Sequence, residues 1–185
     1  IALARLALSP ATGPQVLIKS FLHQWAADYC TRPNPSAYWG YKDFGISGLA
    51  RFRTSWSEID VGYDLQRYNG RDEVLLIDDQ TEQVHAVYGQ VRTSEGFSDR
   101  LRLSGGLRFN KAPGAETVVW SASGVYDLSQ TLFVEASGGT SFLLPDAEKL
   151  YGVDPCCTAG NPDLKPEESL NFNLSLGGRV GPRNG

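Results

Sequence analysis

The feature that most restricts the fold of this chain is a two-residue alternation of apolar and polar side chains that recurs along its length. The clearest example is segment 100–110, with leucine, glycine and phenylalanine at odd positions and arginine, serine, glycine and asparagine at even ones. Successive side chains of a β-strand point to opposite faces, so this alternation predicts strands with one apolar and one polar face. Helical periodicity is almost absent, and the chain is therefore predicted to be all-β.

The alternating segments predict an up-and-down antiparallel sheet. The nine predicted strands are 1–8, 15–25, 46–56, 58–68, 83–93, 100–110, 117–126, 131–141 and 167–178. Short turns at 9–14, 57, 94–99 and 127–130 alternate with longer connections at 26–45, 69–82, 111–116 and 142–166. Short connections at one end and long ones at the other are typical of an outer-membrane β-barrel.

A soluble β-sandwich has the same alternation and is the main alternative. Two observations favour a barrel. The polar faces carry arginine, asparagine, glutamine, serine and aspartate, which suit a wet, confined lumen. Aromatic residues gather near strand ends, as in interfacial girdles; these are Trp25, Trp56, Tyr63, Tyr68, Trp120 and Tyr126. We therefore predict an antiparallel up-and-down transmembrane β-barrel segment of about nine strands, a partial barrel.

The apolar face of the strands is predicted to contact lipid. The residues predicted to do so most clearly are Leu101, Leu103, Leu107, Phe109, Leu170, Phe172, Leu174 and Leu176.

Charge and hydropathy exclude two other classes. The formal net charge is −4 and no run of lysine or arginine forms a basic stripe, so nucleic acid is not an expected partner. The longest stretch without a charged residue is 6–18, which two prolines interrupt, whereas a membrane-spanning helix needs about 20 apolar residues. The sequence contains no methionine, and we expect it to be a piece of a longer chain.

Residues 140–152, which read TSFLLPDAEKLYG, precede a distinctive Gly-Asn-Pro-Asp-Leu-Lys-Pro-Glu string at 160–167. Together they resemble the barrel of TonB-dependent outer-membrane receptors. The family-like positions of the string are Gly160, Asn161, Pro162, Leu164, Lys165, Pro166 and Glu167. Physically, Gly160 and Asn161 permit a turn with positive φ, and the two prolines end one extended piece before Glu167 starts the next strand. We interpret the string as a rigid connector. Leu143 stands where the family often has arginine.

The resemblance implies that residues 1–185 belong to the barrel domain of such a receptor, without its plug domain. It implies active import of a scarce ligand, such as a ferric siderophore or cobalamin, across the outer membrane of a Gram-negative bacterium. In this family the energy comes from the TonB system and acts through the plug. A passive porin is an alternative that shares the physical pattern but not the 160–167 string.

No motif of catalysis is present, so an enzyme is not expected. His23 and His85 are too far apart in sequence to indicate a metal site; by parity His23 should share the lumen with Lys19. Glu135 is the only acid within its strand and has the chemistry of a general acid, but with Arg102 and Arg108 two strands away we interpret it as a member of an ion pair.

Two predicted loops could contact a ligand. The first carries an aromatic cluster suited to stacking on a planar or sugar-like ligand, or alternatively to an interfacial girdle: Tyr29, Tyr38, Trp39 and Tyr41. The second carries acidic residues that either hold a hard cation such as calcium or are simply solvated: Asp72, Glu73, Asp78, Asp79 and Glu82.

The three cysteines allow two pairings. Cys30 could bridge to Cys156 or Cys157, leaving one thiol over, or the adjacent pair could form a vicinal disulfide.

Overall fold

A computed structural model describes residues 1–30, 37–154 and 157–178. Its elements are β1 (Ala2–Leu8), β2 (Gln15–Tyr29), β3 (Ala37–Arg53), β4 (Ser57–Asp72), β5 (Ile77–Thr93), β6 (Leu101–Ala112), β7 (Ala115–Asp127), β8 (Leu132–Leu143), α1 (Ala147–Tyr151), β9 (Val153–Asp154), β10 (Thr158–Ala159) and β11 (Glu167–Gly178). Eight strands and β11 form one nine-stranded sheet in the order β1 to β8 and then β11. Every neighbouring pair in it is antiparallel.

This architecture confirms the predicted all-β, up-and-down sheet and contradicts the soluble sandwich, which would need two sheets packed face to face. The sheet is open, because β1 and β11 are its two edges. The short β9 and β10 pair separately within the connection from β8 to β11. We call the end where β2, β4, β6 and β8 finish the loop end, and the opposite one the turn end.

The prediction of long loops at 26–45 and 69–82 was wrong. The pairing of β2 with β3 runs without a break from Gln15 opposite Arg51 to Tyr29 opposite Ala37, so most of the first loop is strand. Likewise β4 and β5 are joined only through residues 73–76. Aromatic residues favour strands, and cross-strand pairing continued where the alternation in the sequence became irregular. The predicted connection at 111–116 is only the turn of Pro113 and Gly114, whose φ is 72°.

Burial in this sheet is the reverse of that in a soluble protein. Among the described residues, the buried apolar side chains are only Ala37, Ile77 and Ala86, whereas seven polar or charged residues are buried. The eight residues predicted to contact lipid all lie on one face of the sheet, as the register and alternation require. Leu174, for example, is 78% exposed. We call this the apolar face and the opposite one the polar face.

The prediction of an aromatic girdle was partly wrong. Trp25 and Tyr68 lie on the polar face, since they share the parity of Lys19 and Asp64 along their strands. Trp56 lies in the 54–56 turn rather than in a strand. Tyr63, Trp120 and Tyr126 lie on the apolar face, in keeping with the prediction.

The polar face is cross-linked by ion pairs, most of them between neighbouring strands and one, Arg108 on β6 with Asp64 on β4, across β5. Glu58 accepts hydrogen bonds from Arg53 and Arg92, and its carboxylate lies 3.1 Å from Arg51. The other cross-strand pairs are Arg51 with Asp60, Arg102 with Asp127 and Arg108 with Asp64. The expected pairing of Glu135 with Arg102 and Arg108 was therefore wrong, because Asp127 and Asp64 occupy the two guanidinium groups.

No helix among the described residues is long and apolar enough to cross a membrane.

Candidate functional site

A cavity of about 540 Å³ lies at the loop end of the polar face, between β3, β4, β5 and the helix α1. We call it the loop-end cavity. It has the volume of a small-molecule site. Its walls combine rings and apolar side chains with carboxylates: Trp39, Tyr41, Asp43, Gln66, Tyr68, Asp72, Leu75, Ile77, Glu82, Asp146, Glu148 and Tyr151 are among the lining residues.

One wall of the cavity belongs to a cluster of rings from β2 and β3. The Trp25 and Trp39 ring centroids are 4.4 Å apart in an edge-to-face arrangement, and Trp25 stacks on Tyr41 at 6.1 Å. His23 meets Tyr41 edge to face at 5.2 Å, and its Nδ1 lies 3.3 Å from the Tyr41 hydroxyl. Each ring therefore holds its neighbour, which presents Trp39 and Tyr41 to the cavity in a defined orientation.

The aromatic residues predicted to contact a ligand lie on both faces of the sheet. Trp39 and Tyr41 line the cavity. Tyr38 points to the opposite face, where it lies over Gly40 and beneath the Arg71 guanidinium at 5.9 Å from its ring centroid. The Tyr29 side chain lies outside the described part of the structure. Trp25, which had been interpreted as a girdle residue, supports the other two rings instead.

A buried carboxylate joins the sheet to the long connection at residues 144–166. Glu82 on β5 accepts hydrogen bonds from the hydroxyls of Tyr68 on β4 and Tyr151 on α1, the latter at 2.7 Å. The bond to Glu82, together with burial, raises the pKa of Tyr151 to about 12. The Val153 N–H also donates to the Leu75 carbonyl at 2.7 Å. These two bonds hold the connection over the cavity.

The family-like string at 160–167 is bonded to α1 and to the residue that follows it through backbone hydrogen bonds. The Gly160 N–H donates to the Gly152 carbonyl at 2.6 Å, and the Asn161 N–H donates to the Lys149 carbonyl at 2.8 Å. A Cβ on Gly160 would lie 2.7 Å from the Leu150 backbone. Glu167 begins β11, as predicted. The expectation of positive φ at Gly160 and Asn161 was wrong: neither has positive φ, and glycine serves close approach instead.

Asp72, Asp78 and Asp79 do not come together as a calcium site. Asp72 Oδ1 accepts the N–H groups of Val74 and Leu75 at 2.9 and 3.1 Å and so closes the turn after β4. Asp79 has a φ of 46° close to the register shift between β4 and β5. In ranges 1–30, 37–154 and 157–178, no group of three His, Cys, Asp or Glu side chains could hold a metal ion.

The cysteines are only partly described. Cys157 takes part in a disulfide, and Cys30 is exposed just after β2. Cys156 lies outside the described residues, so the choice between the two pairings stays a prediction.

Sequence reasoning missed the bond between Tyr151 and Glu82, which are 69 positions apart. It also missed Asp43, whose carboxylate accepts hydrogen bonds from Gln66 Nε2 at 3.0 and 3.1 Å. The partners in each of these pairs are far apart in the chain, so the local sequence contains no pattern that would predict either hydrogen bond. The one available signal was Tyr151 itself, which lies in the 140–152 segment that carries part of the family resemblance.

Comparison with known proteins places this geometry in a family. Residues 15–182 match the family described as TonB dependent receptor-like, beta-barrel. A segment of 59 residues is 42% identical to the vitamin B12 transporter BtuB of Photobacterium profundum, covering 32% of this chain and 9% of that protein.

Two solved structures share the fold at low identity. The siderophore receptor PirA of Pseudomonas aeruginosa superimposes with a TM-score of 0.69 at 13% identity, over 97% of this chain and 42% of the receptor. The copper transporter OprC gives a TM-score of 0.64 at 17% identity, over 88% of this chain and 32% of the transporter. The chain thus spans less than half of each of these proteins. With the match running through almost all of its strands, it belongs to the TonB-dependent receptor β-barrel family.

Proposed function

We propose that this chain is part of the barrel of an outer-membrane receptor that binds a scarce ligand at its loop end and imports it with energy from the TonB system. The observation that carries the proposal is the loop-end cavity, with Trp39 and Tyr41 on one wall and Tyr151 holding the 144–166 connection above it. Its volume of about 540 Å³ is enough to hold one side of a compact metal complex or of a corrinoid.

The two faces of the sheet support an outer-membrane location. The apolar face would contact the outer-membrane lipid of a Gram-negative bacterium, and the ion-paired polar face would line the lumen. The loop end, including the 144–166 connection, would face the outside of the cell. A plug domain, supplied by another part of the protein, would fill the lumen and carry the contact with TonB.

The relatives support a choice of ligand class. One is named a vitamin B12 transporter and another a siderophore receptor. A cobalamin or a ferric siderophore is therefore the proposed cargo, and import rather than an enzymatic reaction is the proposed activity.

Uptake by cells producing the full-length protein tests this function. Labelled cyanocobalamin and the iron-55 complexes of desferrioxamine B and enterobactin serve as probes. We expect uptake of at least one probe that stops when the tonB gene is deleted, since a passive porin would continue to admit it. Uptake that persists unchanged without TonB would contradict the proposal and favour the porin.

Substitutions in the cavity wall test whether the ligand binds in the loop-end cavity. Trp39→Ala and Tyr41→Ala should each weaken binding of the imported probe about tenfold, the effect of losing one good stacking contact. Trp56→Ala, in an exposed turn at the opposite end, is the matched control and should bind normally. Equal affinities in all three variants would place the ligand elsewhere.

A further inference from the structure

The proposed import function does not say what charge the ligand carries. The loop-end cavity is relevant to that question, because acidic side chains outnumber basic ones among its lining residues. Five carboxylates line it: Asp43, Asp72, Glu82, Asp146 and Glu148. Among the described lining residues the only basic one is Arg71. Its guanidinium is already engaged by Glu73 at 2.9 Å and by the ring of Tyr38 on the other face.

Two of these carboxylates, Glu82 and Asp43, take hydrogen bonds from uncharged side chains. Glu82 accepts from two tyrosine hydroxyls and Asp43 from the Gln66 amide. Hydrogen bonds of this kind stabilise an ionised carboxylate but leave its charge in place. A nearby cation, Lys149, lies 3.5 Å from Asp146 on the rim and offsets that one carboxylate. The charges of Glu82 and Asp43 therefore face the cavity, and a cleft lined by charge of one sign concentrates the electrostatic field.

The aromatic wall supplies the second recognition element. Trp39 is 46% exposed and is held by Trp25, so its ring is accessible without rearrangement. A ring face can take an apolar or planar ligand, or a cation, whose attraction to the ring adds to that of the carboxylates.

We propose, on the basis of this import function, that the loop-end cavity selects a ligand without net negative charge, either neutral or cationic, that offers an apolar or planar surface to Trp39 and Tyr41. An iron complex with several negative charges is rejected by Asp43 and Glu82.

Binding to the purified full-length protein tests the ligand charge. The probes are neutral cyanocobalamin, monocationic ferrioxamine B and trianionic ferric enterobactin. We expect cyanocobalamin or ferrioxamine B to bind at least about tenfold more tightly than ferric enterobactin. Glu82→Gln and Asp43→Asn should narrow that difference, whereas Asp99→Asn, the same change of charge at the turn end, should not. Preferential binding of ferric enterobactin would overturn the charge proposal and leave the import function standing.

A second measurement decides the charge proposal without any ligand. The Trp39 fluorescence, taken as the difference between the unaltered protein and Trp39→Phe, is quenched with caesium or iodide at equal ionic strength. Caesium should quench it about twofold or more beyond its effect on a free tryptophan, and iodide correspondingly less. In the double variant Glu82→Gln and Asp43→Asn, caesium and iodide should quench the Trp39 fluorescence to more similar extents. Iodide quenching equal to or above that of caesium would overturn the charge proposal. If no probe binds, the import function fails for these ligands and the quenching result alone decides the charge.

Discussion

At the residue scale, Tyr151 joins the long connection to the sheet through one hydrogen bond to Glu82. The docked connection favours the protonated phenol, because the pKa of Tyr151 is raised from 10.0 to about 12. A group whose pKa rises on docking stabilises the docked state below its ordinary pKa, and this contribution disappears as pH rises through the docked pKa. The contribution of this bond to docking is therefore fully present at neutral pH.

Release of the connection should occur between pH 10.0 and about 12. A spin label at position 147, introduced as Ala147→Cys, should become mobile over this range in the full-length protein, once the signal of the labelled protein without that substitution is subtracted. In Tyr151→Phe the label should lack this transition, because no phenol remains to ionise. Constant label mobility up to pH 12 in the protein with Tyr151 would contradict the role of this bond.

Gly160 acts through its missing side chain. In Gly160→Ala the new Cβ would lie 2.7 Å from the backbone of Leu150, so α1 must shift away from the string. We expect trypsin to cleave at Lys149 several-fold faster than in the unaltered protein. Gly48→Ala, where a Cβ meets nothing within 4 Å, is the control and should leave the rate unchanged. An unchanged rate in Gly160→Ala as well would show that α1 does not depend on this close approach.

At the element scale, the strands are joined by charges on one face and present apolar side chains on the other. Glu58 lies at the start of β4, with only 10% of its side chain exposed, and interacts with three arginines from β3 and β5. Antiparallel registry brings these residues together, since Arg53 and Arg92 stand directly opposite Glu58 on the two neighbouring strands.

Glu58→Gln should lower the stability of the full-length barrel. Removing one partner of a fully buried ion pair costs about 3–5 kcal/mol. The arginines here are partly exposed, so we expect roughly 1–3 kcal/mol. The measurement is the temperature at which the folded band is lost on an SDS gel. Glu116→Gln breaks an exposed pair with Lys111 and should have almost no effect; equal shifts in the two variants would contradict a special role for Glu58.

The orientation of β11 can be tested with adjacent positions. Leu174 points to the apolar face and Asn173 to the polar face. Leu174→Arg should destabilise the full-length protein in lipid vesicles by about 2–4 kcal/mol if the site lies near the bilayer midplane. Asn173→Arg should cost much less, because that position faces away from lipid. The reverse order in urea titrations would assign lipid to the polar face.

At the scale of the whole molecule, the sheet has open edges at β1 and β11. Unsatisfied backbone groups at such edges cost several kcal/mol each in hydrocarbon. We therefore expect these nine strands to be completed by neighbouring strands in the membrane, and a polypeptide limited to residues 1–185 neither to close nor to transport.

The two ends of the sheet should lie on opposite sides of the outer membrane. Leu164 at the loop end and Phe97 at the turn end are 40% and 44% exposed. In the full-length protein, a membrane-impermeant maleimide added to intact cells should label Leu164→Cys above the level of the unaltered protein, and should not do so for Phe97→Cys. Lysed cells, in which both should react, provide the control. Labelling of Phe97→Cys alone in intact cells would invert the proposed topology.

The sequence by itself determined the nine strands of the main sheet, their antiparallel order and the face of the eight residues predicted to contact lipid. These properties follow from the two-residue alternation of apolar and polar side chains, which can be read directly from the local sequence. The start of β11 at Glu167 was equally accessible, because two prolines and a turn mark it.

Only the tertiary structure decided where β2, β3, β4 and β5 end, because cross-strand pairing extends them beyond the regular alternation. It also separated Tyr38 from Trp39 and Tyr41, which one aromatic cluster in the sequence had joined. The contact of Tyr151 with Glu82 depends on the path of a connection folded back over the sheet. Such contacts between distant residues are set by packing of the whole chain, and no local period records them.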